Sequence, residues 1–492
     1  MQRPLRPLGS FLALGAVVAL AGCELRDIAD STNPPPAEPG LLTGSITQNR
    51  ILFSDTVYTL RGFVKVQNGV TLTIQPGTKI VGDTATAGSS LWILRGARIV
   101  AQGTLAQPIV FTSGKPAGQR RRGDWGGIII IGRGVINRTG ATIITEGGAA
   151  GQAENYAAGT DNNDNSGVLR YVRIEFAGYD ISNGAGQELN SLSMYAVGRG
   201  TTLEYVQTIH GLDDSFEWWG GAVDGRYLVS YESGDDHFDW TEGYRGRNQF
   251  LIAFQTIYAA TIPGVGAGSS DPRGFEGDGC DPVPGSGCSL INVTAGTDVA
   301  GASAPFSMPV FANFTIVGPG SGVPGFPADG NGAVLRRGTG GTFTNGIIAR
   351  WPGRGLQIRD AFTDSLRLRD SLRIVNVILA ENGPAAAPTN YDAAGSDGTG
   401  AEGSRRFAQG AKFANANHRE VTSVAAVIQS LNTASLNWTA TGAAATGGGQ
   451  VSIPAARVAN FLGGSMASTT YVGAGDPAGP KWWEGWTIYV PN

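Results

Sequence analysis

Apolar and polar residues alternate along this chain in short runs, and a turn closes nearly every run. "GFVKVQNGVTLTIQPGTKIVGD", "LWILRGARIVAQGT", "QPIVFTS", "GGIIIIGRGVI", "LRYVRIEFAG", "TTLEYVQTIHG" and "RYLVSYESG" carry β-branched stretches of strand length, bounded by Gly, Asn or Asp. "QFLIAFQTI", "FANFTIVG", "FTNGIIAR" and "LRIVNVILAENG" continue the pattern, and no long amphipathic helix interrupts it. Many short strands fit a sandwich, a propeller or a solenoid.

The period separates these folds. Asp-Asp-Ser-Phe-Glu-Trp at 213–218 returns as Asp-Asp-His-Phe-Asp-Trp at 235–240, and Tyr205-Val206 returns as Tyr227-Leu228. Both offsets are 22 residues (213 to 235, 205 to 227). A fixed repeat in the low twenties marks a solenoid coil, whereas a propeller blade needs about 40 residues. The sequence therefore predicts an all-β, single-stranded parallel β-helix, in which equivalent residues of successive coils stack about 4.8 Å apart.

The motifs "TLTIQPGTKIVGD", "PIVFTS", "GDWGGIIIIG", "NDNSGVLRYVRIEFAG", "DDSFEWWGG", "GYRGRNQF" and "WWEGWT" resemble, in this order, a family of bacterial exported β-helix proteins. The resemblance covers almost the whole chain beyond its leader. It implies a right-handed, pectate-lyase-like architecture and an envelope location, but no established activity or catalytic residues. The chain departs from that family's pattern at His237, where a third acid is common, which weakens an all-acid site.

The expected boundaries are a leader at 1–22, a tether at 23–40, the β-helix at 41–405 and a C-terminal capping region at 406–492. Residues 41–60 are expected to cap the N-terminal end, since an open β-helix exposes strand edges. "FAQGAKFANANHREVTSVAAVIQSL" places Phe413, Val421, Val424, Ala425, Ile428 and Leu431 at helical spacing. "SIPAARVANFLGG" suggests a second short helix, with Pro454 in its first turn and Gly463 at its end. Trp482, Trp483 and Trp486 then plug the terminal region.

If 22 residues make one coil, Asp213 sits over Asp235, Asp214 over Asp236 and Glu217 over Asp239. Phe216 over Phe238 and Trp218 over Trp240 become aromatic ladders. Strand alternation lets the aromatics bury while the acids point outward. Carboxylates about 5 Å apart repel by roughly 3 kcal/mol per pair at an effective dielectric near 20, and by less than about 1 kcal/mol in bulk water. Relief comes from solvent, a proton, a base such as Arg245 or Arg247, or a hard cation such as Ca²⁺. Three readings stand open: a Ca²⁺ site on Asp213, Asp214, Glu217, Asp235, Asp236 and Asp239; a solvated or Arg-paired structural ladder; and a catalytic carboxylate site using Asp213, Asp235, Asp236, His237 and Arg245. Trp218, Trp219, Trp240, Arg245 and Arg247 are candidate ligand contacts. The oxygen-rich "GTDNNDNSG" (159–167) begins like a calcium loop, but Val172 stands where the closing Glu belongs, so it reads as a turn.

Composition and charge fix the setting. Arg3 and Arg6 precede the apolar run "FLALGAVVALAG", as in a signal peptide. "LAGC" looks like a lipobox, which makes Cys23 the lipidated first residue of the mature chain. Glu24 after it favours the outer membrane, and "DIADSTNPPPAEPG" reads as a Pro-rich tether. Cys280 and Cys288 flank a Pro/Gly turn and are expected to pair in an oxidising compartment. The net charge of −4 and the single short basic run "QRRRG" argue against nucleic acid. No nucleophile elbow, phosphate-binding Gly-Lys-Ser/Thr or Cys/His metal cluster is present.

Together these features predict a surface lipoprotein of the bacterial cell envelope, lipid-anchored through Cys23, with a non-enzymatic binding or structural role, extracellular polysaccharide as the favoured ligand class and Ca²⁺ as a stabiliser. An envelope protein or a second copy of the chain is a further partner class. The alternative is a Ca²⁺-dependent polysaccharide lyase or glycoside hydrolase using the 213–247 cluster.

Overall fold

In the computed structural model, the residues described are 40–148, 151–182, 187–280, 304–384, 390, 396–397, 405–406, 419–447, 453 and 455–492. The predicted leader, Cys23 and the tether lie outside them. Parallel strands stack coil upon coil along three faces. One face runs from Arg50–Leu52 through Thr71–Ile74 and Arg98–Gln102 into the first half of the long strand Gly167–Glu175. A second runs through Ile109–Ser113 into the second half of that strand. The third stacks the short strands Ile128–Ile131, Leu192–Tyr195, Phe216–Trp219, Phe238–Thr241, Phe275–Asp278 and Ala333–Arg336. The chain is a parallel β-helix.

The 22-residue offset sets the register. Phe216 pairs with Phe238, Glu217 with Asp239 and Trp218 with Trp240, while Val206 pairs with Leu228 on the neighbouring face. Inward residues form continuous ladders, such as Val172, Val206, Leu228, Leu251 and Phe314, every one buried. Burying one such side chain stabilises by about 1.5–3 kcal/mol, so repeating it on every coil holds the solenoid together.

The long strands bend at their fourth or fifth residue. Tyr171, Tyr205, Tyr227, Phe250, Asn313, Asn345 and Asn376 occupy successive coils at this corner, all left-handed (φ +53° at Tyr205, +55° at Asn345). That conformation costs an L-residue roughly 1–2 kcal/mol. Stacking offsets it here: ring centroids lie 4.3 Å apart for Tyr171–Tyr205, 4.4 Å for Tyr205–Tyr227 and 5.2 Å for Tyr227–Phe250.

Five expectations about the ends require correction. Residues 41–60 are the first coil rather than a cap, because Leu41–Ile46 pairs in parallel with Val57–Val66. The parallel sheet also continues past 405, to Arg419–Val421. Within the predicted helix at 407–431, residues 407–418 lie outside the described set. The rest forms Arg419–Val421, a 3₁₀ turn at Val424–Ala426 and the strand Ile428–Ser430, which pairs with Asn437–Ala440. The β-branched Val421, Val424, Val427 and Ile428 favour extended backbone, and Val424, Val427 and Ile428 still bury on the solenoid flank.

The second helix is only Ala455–Val458. Gly463 closes a hairpin between Ala459–Phe461 and Gly464–Ser465, using φ +78°. Finally, the tryptophans do not plug an end. Trp486 meets Tyr171 and Tyr205 edge-on and Trp482 packs on Tyr227, so the C-terminal segment runs back along the aromatic ladder. The outward aromatic ladder is an apolar strip, and the C-terminal segment covers it. Asn492 ends this path by donating its side-chain amide to the Arg120 carbonyl.

Candidate functional site

The acidic phrases occupy the corner where the second face turns into the third. On the short strands, Phe216, Phe238 and Phe275 point inward and stack, with centroids 5.3 and 5.6 Å apart. Glu217, Asp239 and Glu276 alternate with them and form an acidic ladder on the outer side. Outer does not mean solvated here. Glu217 is 5% exposed and Glu276 9%: Asn190 bonds the first, and Arg273 and Arg336 pair with the second. Two excursions from the coils, the hairpin pairing Tyr179–Asp180 with Glu188–Leu189 and the 256–272 loop, wall the adjoining corner.

The paired aspartates divide their work. Asp214 Oδ1 accepts the Asp236 N–H at 2.8 Å, and Asp236 Oδ1 accepts the Arg273 N–H at 2.6 Å. One coil earlier, Asn190 Oδ1 accepts the Asp214 N–H at 3.1 Å. The second residue of each phrase is therefore a rung that satisfies the next coil's main chain. Asp213 and Asp235 are free of that duty. Both line a cavity of 590 Å³, with Asp180, Glu188, Tyr179 and Phe63 on its walls.

Three overlapping trios hold carboxylate oxygens within 4.8 Å of one another: Asp213, Asp214 and Asp235; Asp214, Glu217 and Asp239; Asp236, Asp239 and Glu276. Among the described residues, ion pairs reach only one end. Arg273 lies 3.6 Å from Asp236 and also pairs with Glu276 and Asp271, while Arg336 reaches Glu276 at 2.9 Å and Asp278 at 2.7 Å. These arginines hold Glu276 below the usual carboxylate range although burial opposes them.

At the other end, burial pushes Asp213 well up, reinforced by Glu188 and Asp235. Glu217 rises likewise through burial, Glu146 and Asp239. Burial raises Asp235 to about 7 even against the pull of Arg273. Asp235 Oδ1 and Asp239 Oδ1 are buried oxygens with no hydrogen-bond partner among the described residues. All donors are hard oxygens, which suits Ca²⁺, a cation that takes 6–8 of them.

Several expected site residues lie elsewhere. Trp218 and Trp240 are fully buried inward and offer no face to a ligand; Trp219 stacks on Tyr195, 5.5 Å between centroids. His237 is also fully buried. Its Nδ1 lies 2.5 Å from Ser230 Oγ, and burial with the nearby Arg122 pushes it down to about 3, so it is a neutral packing residue rather than an acid or base in the cluster. Arg245 and Arg247 sit beyond the opposite end of the short strands. Arg245 bonds the Phe306 carbonyl and Arg247 pairs with Asp224, so neither relieves the ladder. Cys280 is buried, and Cys288 lies outside the described residues. The 159–167 segment closes its own turns: Asp161 Oδ1 accepts the Asn163 N–H and Asn165 Oδ1 the Gly167 N–H, both at 2.8 Å.

Sequence reasoning missed Glu276, Asp278, Arg273, Glu188, Glu146 and Asn190. Phe275-Glu276 is a third copy of the Phe-acid phrase, displaced to 37 residues (238 to 275) by the inserted loop. Aligning phrases rather than fixed offsets finds it.

Stacked coils carrying an acid-lined cleft define a parallel β-helix protein. The family model for the pectate-lyase-like β-helix domain matches residues 44–446, and the chain belongs to that family. No curated protein and no solved structure matches it significantly.

Proposed function

We propose that the chain is a cell-envelope glycan-binding protein whose acidic cleft holds Ca²⁺ and, through it, an oxygen-rich sugar. Membership of a pectate-lyase-like family supports a carbohydrate-related role. The observation that carries the reading is the Asp213–Asp235 pair, which no described residue meets in an ion pair, facing a 590 Å³ cavity. A divalent cation there neutralises the pair and leaves coordination positions for sugar hydroxyls or carboxylates. Phe63 and Tyr179 supply the apolar wall on which a sugar ring packs. Anchoring through Cys23 is proposed from the lipobox alone; Cys23→Ala should move the protein from the membrane fraction to the soluble envelope fraction.

Affinity electrophoresis against acidic and neutral polysaccharides tests the binding. Retention in Ca²⁺ without polymer shortening, lost with EDTA and in Asp213→Asn, is the expected outcome. Equal migration with and without polymer would sink it.

One observation favours a second reading. Asp235, at about 7, is partly protonated near neutrality beside another carboxyl, as general-acid chemistry requires. In that case the acidic pair acts as a glycoside hydrolase, and reducing ends accumulate. A lyase has less support, since Arg245, its candidate base, is not at the cleft.

A further inference from the structure

A second charged site lies where the short strands end. Arg199 and Arg245 occupy the same corner two coils apart; between them, Gly221 accepts the Arg245 N–H at 2.9 Å. Arg457 arrives from the C-terminal segment, and with Asn163 and Asn460 these side chains line a pocket of 280 Å³. Arg247 shares the pocket, but its charge is already committed. It forks onto Asp224 and holds the C-terminal segment through the carbonyls of Ala459 (2.5 Å) and Asn460 (3.0 Å).

That leaves three guanidinium groups facing one small volume. No carboxylate among the described residues forms an ion pair with Arg199, Arg245 or Arg457. Arg199 Nε is buried and has no hydrogen-bond partner among the described residues. Among the described residues the Arg245 side chain donates to the Phe306 carbonyl and the Arg457 side chain to the Met308 carbonyl, so both retain donors. Arg245 is exposed, which keeps the pocket open to solvent.

Converging like charges repel, the more so where burial strips them of water. Consistent with this crowding, burial and then the neighbouring arginines push Arg457 down to about 10. Guanidinium forks match oxyanions that offer several acceptor oxygens, and they bind them through paired, charge-assisted hydrogen bonds.

We propose that the Arg199–Arg245–Arg457 pocket binds a tetrahedral oxyanion, phosphate or sulfate, either free or as an ester on a polymer. The proposal is independent of the acidic cleft. Its volume is at the small end of ligand pockets, which start at about 300 Å³, and suits one such group rather than a whole oligosaccharide.

Thermal-shift and calorimetric titrations of the full chain with inorganic phosphate and with sulfate, at ionic strength held constant with NaCl, test it. The expected result is saturable binding absent with chloride, weakened at least about tenfold in Arg245→Gln and in Arg199→Gln. Arg61→Gln, which removes a surface arginine paired with Asp83, should leave it unchanged. Arg245 is exposed, so its variant should fold even if Arg199→Gln does not. A parallel arm uses a sulfated polysaccharide and its desulfated form. Retention of the sulfated form alone, displaced by phosphate, identifies an ester; saturable inorganic binding without polymer retention identifies a free anion. No saturable effect beyond chloride, or an undiminished one in Arg245→Gln, would overturn the proposal.

Discussion

Asp213 and Asp235 stand one coil apart at the same corner, their carboxylate oxygens within 4.8 Å, and both face one cavity. Their neighbours Asp214 and Asp236 are turned into the main chain. The repeated acidic doublet thus combines a rung with a free carboxylate on each coil.

The free carboxylates should make stability depend on pH and on cation together. Asp213, Glu217 and Asp239 are raised, and Asp235 reaches about 7, so the folded chain binds more protons than the unfolded one above about pH 4. Without divalent cation, stability is full below the unfolded carboxyl range and falls as pH rises through about 7, each titrating group contributing up to about 1.4 kcal/mol per pH unit. The melting midpoint in EDTA should therefore be higher at pH 5 than at pH 7.5. Added Ca²⁺ should raise the pH 7.5 value and narrow the gap. A midpoint indifferent to both would count against the cation.

Asp235→Asn separates repulsion from coordination. It removes a charge from a crowded site while keeping the side chain's shape. In EDTA at pH 7.5 the variant should melt above the parent. In Ca²⁺ it should gain less, and calorimetry should show affinity reduced at least about tenfold, or about 1.4 kcal/mol.

Asp214 should respond differently, because its role is structural. Asp214→Ala strands the buried Asp236 N–H and should cost about 1–3 kcal/mol in chemical denaturation. Asp214→Asn retains an acceptor oxygen and should recover most of that loss. Equal loss in both variants would mean that its charge, not its rung, is what matters.

The fold was legible because stacking forces equivalent residues into register. A 22-residue echo of Phe216 and Trp218 at Phe238 and Trp240 is a direct trace of the coil. The site was legible only in part. Period alone located Asp213 and Asp235, but the covering hairpin strands Tyr179–Asp180 and Glu188–Leu189 and the 256–272 loop have no periodicity, so the acids were expected in solvent. The same irregular insertion displaced Glu276 from the repeat and hid Arg273, which arrives with the loop. Arg245 and Arg247 were assigned by closeness in sequence. In a solenoid, however, four strand residues carry the chain about 13 Å to the next corner. Spacing at the C-terminus predicted burial correctly for Val424 and Ile428 but not the backbone that achieves it.

The tryptophans offer the sharpest test of the lateral cap. Trp486 is 1% exposed, lies edge-on to Tyr171 and Tyr205 and donates its indole N–H to the Trp482 carbonyl at 2.8 Å. Nearby, Gln207 exchanges two hydrogen bonds with Ile488, at 2.7 and 3.0 Å. Trp486→Ala should cost about 3–5 kcal/mol, as large-to-small changes at buried aromatics do. Because the cap lies along the side of the coils, its loss should uncover the tyrosine ladder without fraying the sheet register. Hydrogen exchange should then rise in 471–492 and at the Tyr171–Tyr227 corner, while the short strands from Leu192 to Asp278 keep their protection. Uniform loss of protection along the solenoid would instead show that the C-terminal segment is part of the cooperative core.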